Sequence, residues 1–168
     1  MQHLTPFWGS LAFVLAVFGF GAKAGLLPLH VWLPEAHPAA PSPFSALMSG
    51  VMLKIALYGI LRVAFDLLQE PIWWWGVLLM GLGLVTALFG VVFSTVQVEM
   101  KRLLAYSSID NIGLMCAGMG LSLLFLAYDM KALSALALTA SLYQMLAHAF
   151  FKSLLFCSTG AVMHATGE

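Results

Sequence analysis

Charged residues are scarce in this chain of 168 residues, where they account for 8% of the sequence, whereas soluble domains carry about 25%. Seven basic and seven acidic residues give a formal net charge of zero, which excludes the basic patch that nucleic-acid binding requires. Cysteine is also rare, and Cys116 and Cys157 lie inside apolar runs, so we expect packing residues rather than metal ligands. Without a cysteine cluster or a glycine-rich phosphate loop, the sequence predicts no bound cofactor.

Hydrophobic residues make up 62% of the chain and form five runs of the length that a bilayer requires, about 20 residues each. Within lipid each run must be helical, because unpaired backbone groups are costly there. We therefore predict an all-α integral membrane protein, located in the cell inner membrane, whose single transmembrane domain is a bundle of about five helices with short connections. The predicted spans are 7–33, 44–68, 72–96, 103–126 and 133–162.

Glycine and proline interrupt the first of these runs. Gly19, Gly21 and Gly25 precede Pro28, and a proline removes one backbone donor and clashes with the preceding turn. We therefore predict that the first helix breaks near residues 23–28. Discontinuous helices in transporters place ion-binding groups at such a break, and the alternative is a proline kink without a functional role.

Three lysines lie in the middle of apolar stretches: Lys23, Lys54 and Lys152. A lysine at bilayer depth costs about 2.5–3.5 kcal/mol on insertion scales. Such residues usually face the protein interior or a wet cavity, and they tend to mark ion or proton pathways. The alternative is that each lysine is a structural ammonium group, bonded to backbone carbonyls or paired with an acid on another helix.

A histidine shares a helical face with the third lysine. His148 precedes Lys152 by four residues, so both side chains project from the same side of the fifth helix. Tyr143 and Gln144 lie one turn earlier and continue a polar stripe. Because histidine titrates near neutral pH, this face favours a proton relay over a packing role.

Accessory polar candidates lie on the fourth helix and in the proline-rich segment after the first. Ser107 and Asp110 belong to a polar run that is suited to holding water, although it equally suits hydrogen bonds within a helix bundle. His30 and His37 are candidates for guarding the entrance to a proton path. The alternative for both is a loop histidine with no special role.

Four motifs, in order along the chain, resemble the antiporter-like subunits of respiratory complex I, which are similar to the large subunits of Mrp-type sodium/proton antiporters. They are Gly-Ala-Lys-Ala-Gly around Lys23, Val-Met-Leu-Lys ending at Lys54, Lys-Arg-Leu-Leu-Ala-Tyr-Ser-Ser beginning at Lys101, and His-Ala-Phe-Phe-Lys ending at Lys152. The resemblance covers nearly the whole chain. Within this superfamily the sequence most resembles the membrane subunit of formate hydrogenlyase or hydrogenase-4 (component B).

The resemblance implies roles for individual residues. Lys23 takes the place of the lysine at the broken helix, Lys54 that of the bridging lysine on the next helix, and His148 and Lys152 match a channel histidine and lysine. Gln144 stands where a first channel histidine is often found, so the resemblance leaves open whether one or two histidines serve the path. Family members have about three times as many transmembrane spans as this chain, so we expect the chain to be a fragment of a longer protein.

The implied function is proton translocation by a non-redox subunit of a hydrogenase, formate hydrogenlyase or NADH:quinone oxidoreductase-type complex. Its partners would be the lipid bilayer and other membrane and peripheral subunits, and the chain would not be catalytic alone. One alternative is an Mrp-type antiporter subunit that exchanges sodium for protons without electron transfer. The other is a structural membrane anchor whose lysines only pair with acids on neighbouring subunits.

Overall fold

The computed structural model describes residues 5–68 and 72–167, and within these ranges the chain is helical and contains no strand. Five helices in these ranges are long and apolar enough to cross a membrane. This confirms the predicted fold class. In chain order, the α-helices are α1 (Pro6–Ala24), α2 (Trp32–Ala39), α3 (Ser42–Leu47), α4 (Leu53–Leu61), α5 (Trp73–Thr95), α6 (Met100–Ala127) and α7 (Lys131–Thr166).

The first helix ends at a glycine in the left-handed region. Gly25 has φ +81°, and the amides of Gly25 and Leu26 both donate to the carbonyl of Gly21 at 2.9 Å. This is how glycine commonly closes a helix. The break that was predicted near residues 23–28 is confirmed, because α1 ends at Ala24, before Pro28 is reached, and the next helix begins at Trp32.

A short helix that was not predicted, α2, follows the break. The indole of Trp32 donates to the carbonyl of Ala22 at 2.9 Å, and the amide of Leu27 donates to the hydroxyl of Thr86 at 3.2 Å. These bonds satisfy backbone groups that the end of a helix leaves unpaired. They hold the segment between α1 and α2 against both α1 and α5.

The second membrane-length helix, Ser42–Leu67, is a composite. It contains α3 and α4, each followed by a π-helical turn, at Met48–Met52 and at Arg62–Leu67. A π-turn accommodates one more residue than the α-helix around it and is frequent at functional sites. The first of these turns lies directly before Lys54.

Glycines allow the backbones of α5 and α6 to approach each other closely. Gly76, Gly83 and Gly90 recur every seven residues on α5, opposite the backbone of α6. A Cβ atom at Gly83 would lie 2.5 Å from the amide nitrogen of Ala117 and 2.6 Å from the carbonyl oxygen of Gly113. Small residues of this kind allow close backbone approach in membranes. The result is a closely packed antiparallel pair, and α7 packs against α6.

The apolar core lies between α1, α4, α5 and α6. Phe13 stacks on Trp75 with ring centroids 4.8 Å apart, and both side chains are buried. Many large apolar side chains remain on the outside, for example Leu88 and Leu154. Such a surface is expected of helices that face lipid or further helices.

Candidate functional site

One of the deep lysines contacts a histidine in the interior of the bundle, and a second lies one helical turn from that histidine. The Nζ atom of Lys54 lies 2.5 Å from Nδ1 of His148, although the two residues are 94 positions apart in the sequence. His148 is fully buried, and Lys152, one turn further along α7, is 1% exposed. We refer to Lys54, His148 and Lys152 as the lysine–histidine cluster.

The local geometry of two helices brings Lys54 to His148. Within the π-turn Met48–Met52, the carbonyl of Ser49 accepts a hydrogen bond from the Lys54 ammonium group. Gly50 in the same turn faces α7, where a Cβ atom would overlap the hydroxyl of Ser153. The missing side chain therefore allows the turn and α7 to approach closely enough for the contact between Lys54 and His148.

A second polar connection joins the two lysines through α6. The hydroxyls of Ser49 and Ser108 lie 2.9 Å apart, and Ser108 also donates to the carbonyl of Leu104 at 2.9 Å. The same carbonyl accepts a hydrogen bond from Nζ of Lys152 at 3.1 Å. Lys54 and Lys152 are thus linked by a continuous row of polar groups that does not include His148.

Sequence reasoning placed Ser108 in the polar run of the fourth helix but chose Ser107 as the accessory candidate, and it did not consider Ser49. The carbonyl of Ser107 accepts a bond from Asn111, and no hydrogen bond from the Ser107 hydroxyl occurs within the described residues. Helical spacing was the available signal, since Ser108 lies four residues from each of the buried Leu104 and Ile112, which places it on the inner face.

The other accessory candidates divide into an inner and an outer group. The amide of Gln144 donates to Asn111 at 2.7 Å, and the amide of Asn111 donates to the carboxylate of Asp110. Asp110 also lies within electrostatic range of Lys152. By contrast, the ring of Tyr143 is on the outer face of α7 and is 72% exposed.

Lys23 and His30 lie away from the lysine–histidine cluster. Lys23 is in the last turn of α1 and is exposed at the outside of the described helices. His30 is half-buried in the turn before α2, where its ring meets Phe89 edge-on at 4.7 Å. The break that was predicted around Lys23 is present, but no contact joins it to the cluster within the described part of the chain.

Charged groups fasten α2 to the start of α6. Nζ of Lys101 is largely buried and donates to the carbonyl of Ala40 at 2.9 Å. The guanidinium group of Arg102 pairs with Glu35 of α2 at 3.1 Å and with Glu99 at 3.2 Å. Exposed ion pairs contribute about 0–1 kcal/mol each, so the buried lysine is the stronger of these attachments.

None of these arrangements resembles a metal centre. Across residues 5–68 and 72–167, no three or more histidine, cysteine, aspartate or glutamate side chains are grouped so that they would hold a metal ion. The buried polar side chains of the described residues are instead those of lysines, serines, threonines and histidines. Their chemistry is that of donating and accepting protons.

Comparison with known proteins supports the motif-based resemblance. A family model described as "NADH:quinone oxidoreductase/Mrp antiporter, TM" matches residues 4–168. The chain belongs to this family. The resemblance found in the sequence is therefore confirmed. The proteins of this family are membrane subunits of the complex I and Mrp antiporter type.

Among its relatives, hydrogenase-4 component B of Escherichia coli strain K12 is 48% identical over 163 residues, which cover 95% of this chain and 24% of that protein. Formate hydrogenlyase subunit 3 of the same organism is 43% identical over all 168 residues, or 27% of its length. A chain in the structure of the Mrp complex from Dietzia sp. DQ12-45-1b matches with a TM-score of 0.71 at 26% identity, over 91% of this chain and 26% of that one. The chain thus spans about a quarter of the length of the relatives it matches.

Proposed function

We propose that this chain contributes part of a proton path across the membrane, as a non-redox subunit of a hydrogenase, formate hydrogenlyase or NADH:quinone oxidoreductase-type complex. The observation that carries the proposal is the contact between Lys54 and His148 at 2.5 Å. It places a proton donor directly against a proton acceptor, inside a bundle whose main core cluster is apolar. A lysine that served only as a structural group would not need a titratable partner.

The cluster supplies the parts of a relay. Nδ1 of neutral His148 accepts the proton that the Lys54 ammonium group donates, which leaves an amine and an imidazolium. The imidazolium then releases its other proton from Nε2, a buried atom with no hydrogen-bond partner among the described residues. Lys152, on the same face of α7, takes that proton when it is a neutral amine. If Lys54 and Lys152 were both charged, their ammonium groups would repel each other in the apolar interior. This repulsion favours a cluster that shares one mobile proton over one in which both lysines stay protonated.

The relatives support coupling to electron transfer, since they are components of hydrogenase-4 and of formate hydrogenlyase. The complete protein, assembled with its partner subunits in inner-membrane vesicles, is expected to take up protons only when an electron donor is supplied. The Mrp structural neighbour favours a second candidate, sodium/proton exchange. Uptake driven by a sodium gradient without a donor would replace the first function with the second. Absence of uptake under both conditions would leave only a structural anchor.

Replacing His148 with glutamine tests the relay within the cluster. Glutamine hydrogen-bonds but does not titrate, so we expect donor-driven proton uptake to fall by about 100-fold, the lower end of typical general acid–base contributions. The amount of assembled complex should stay close to that of the unchanged protein. A strong loss of assembled protein combined with normal uptake per molecule would show that His148 is a packing residue.

Lys23 is proposed as the switch at the helix break, on the strength of its place beside Gly25 rather than of any contact with the cluster. The Lys23→Arg variant keeps the charge, but a guanidinium group does not release its proton in proteins. We expect assembly to be normal and uptake to be lost. Normal uptake by this variant would mean that Lys23 acts only through its charge.

A further inference from the structure

An apolar cavity lies between α1 and α5, beyond the point where the first turns of the two helices touch. At that point Phe13 stacks on Trp75, and the indole of Trp75 donates to the hydroxyl of Ser10 at 3.3 Å. Further along both helices a cavity of about 200 Å³ remains between them. Every residue that lines it is apolar, so it offers water no side chain to bind.

The break of the first span closes one end of this cavity. Residues 26–29, which connect α1 to α2, line that end, and Val17 of α1 and Leu82 of α5 line the sides. The amide of Leu27 donates to the hydroxyl of Thr86 at 3.2 Å, which holds the connecting segment against α5. The cavity is therefore bounded by the backbone that departs from the helix.

The cavity lies at the depth of lipid hydrocarbon. With a rise of 1.5 Å per residue, Leu78 and Leu82 lie about 8–14 Å beyond the start of α5. Trp8 and Trp73 are exposed near the starts of α1 and α5, and exposed tryptophans of this kind mark the headgroup level. The hydrocarbon core is about 30 Å thick, so the cavity lies within the leaflet that these tryptophans adjoin.

The size, lining and mouth of the cavity indicate what fills it. Apolar cavities of about 150 Å³ in proteins stay dry and bind small apolar molecules, whereas an empty cavity deprives its lining of packing contacts. The mouth includes Val14 and Phe18, which are 39% and 63% exposed. The cavity is thus continuous with the outer apolar surface of the membrane-spanning helices. A whole helix, about 10 Å across, is too wide to enter.

From these observations we propose that the cavity binds one acyl chain of a membrane phospholipid. The headgroup lies at the level of Trp8 and Trp73, and the chain passes between α1 and α5 until it meets Leu27 and Leu29. There it packs against the segment that the bond to Thr86 also holds. The bound chain thereby stabilises the break of the first span, and it does so without any titratable group of the proton path.

The test uses the complete protein assembled with its partner subunits, in vesicles of phosphatidylethanolamine and phosphatidylglycerol. A small fraction of the phospholipid carries a photoactivated diazirine in the middle of one acyl chain. After irradiation, mass spectrometry of the digested protein is expected to find the label on residues 26–29 and 78–82. A second probe, with the diazirine beside the headgroup, should label the regions around Trp8 and Trp73 and spare residues 26–29.

A cavity-filling variant shows whether the chain occupies the cavity itself. The indole in Leu82→Trp takes up space that the acyl chain would use. We expect labelling of residues 26–29 by the mid-chain probe to fall by at least about tenfold, the effect of losing roughly two buried methylene groups. Leu88→Trp is the matched control, because Leu88 lies on the same helix and is 69% exposed. Its labelling of residues 26–29 should be unchanged.

Two results would overturn the proposal. If the mid-chain probe labels outward-facing residues such as Leu88 but not residues 26–29, another part of the complete protein fills the cavity. If Leu82→Trp assembles and residues 26–29 are labelled as before, the lipid passes over the surface and does not enter. Should Leu82→Trp fail to assemble, the contrast between the two probes on the unchanged protein decides.

Discussion

The Lys54→Met variant of the complete protein is expected to stop proton translocation and still assemble in the membrane. Methionine has a similar length and suits an apolar environment, so the space between α4 and α7 stays filled. The variant lacks the ammonium group that contacts His148 and the carbonyl of Ser49. Because His148 then has no adjacent donor, we expect donor-driven uptake to fall by at least about 100-fold.

The measurement is the rate of proton uptake per assembled complex, with electron transfer recorded in parallel. Lys131→Met is the matched control, because Lys131 is exposed at the start of α7 and forms an ion pair with the exposed Asp129. The control should transport normally. Unchanged transport by correctly assembled Lys54→Met protein would make Lys54 structural and place the proton path elsewhere.

The Gly83→Leu variant is expected to prevent the correct packing of α5 on α6. The atoms nearest to an added Cβ belong to the backbone of Ala117 and Gly113, so no side chain is able to rotate away. The helices must separate along the whole glycine row, which removes contacts far from residue 83. Overpacking costs about 1–3 kcal/mol where neighbours adjust, and we expect at least about 3 kcal/mol here.

The quantity to measure is the midpoint of thermal unfolding in detergent, together with the yield of assembled protein. Gly81→Leu serves as the comparison, since no atom lies within 4 Å of a Cβ built at Gly81. That variant has the same change of residue on the same helix and should unfold near the unchanged midpoint. Equal behaviour of the two variants would show that the close approach of α5 and α6 is not required for stability.

The number of long helices followed from sequence because lipid imposes a length and a helical backbone on every apolar run. The position at which α1 ends followed only in part. Pro28 was the expected cause of the break, whereas the left-handed conformation of Gly25 ends the helix three residues earlier. Local composition alone does not distinguish these two causes, because both residues disfavour a continuing helix.

The candidate site was only partly predictable for a different reason. The shared face of His148 and Lys152 is a property of one helix and was read from their spacing. The contact of His148 with Lys54 joins residues 94 positions apart and depends on how two helices pack. For the same reason the burial of His37 against Phe156 was not foreseen from a proline-rich segment.

The π-turn at Met48–Met52 makes the register of the helix, as well as the identity of its residues, a condition for function. Each residue in an α-helix advances by about 100° around the axis, and the turn holds one residue more than an α-helix would. Removing one residue between Pro43 and Lys54 would therefore close the π-turn into an α-turn and remove the local geometry in which the carbonyl of Ser49 accepts the hydrogen bond from Lys54. Insertions and deletions in this stretch should be tolerated far less than conservative substitutions.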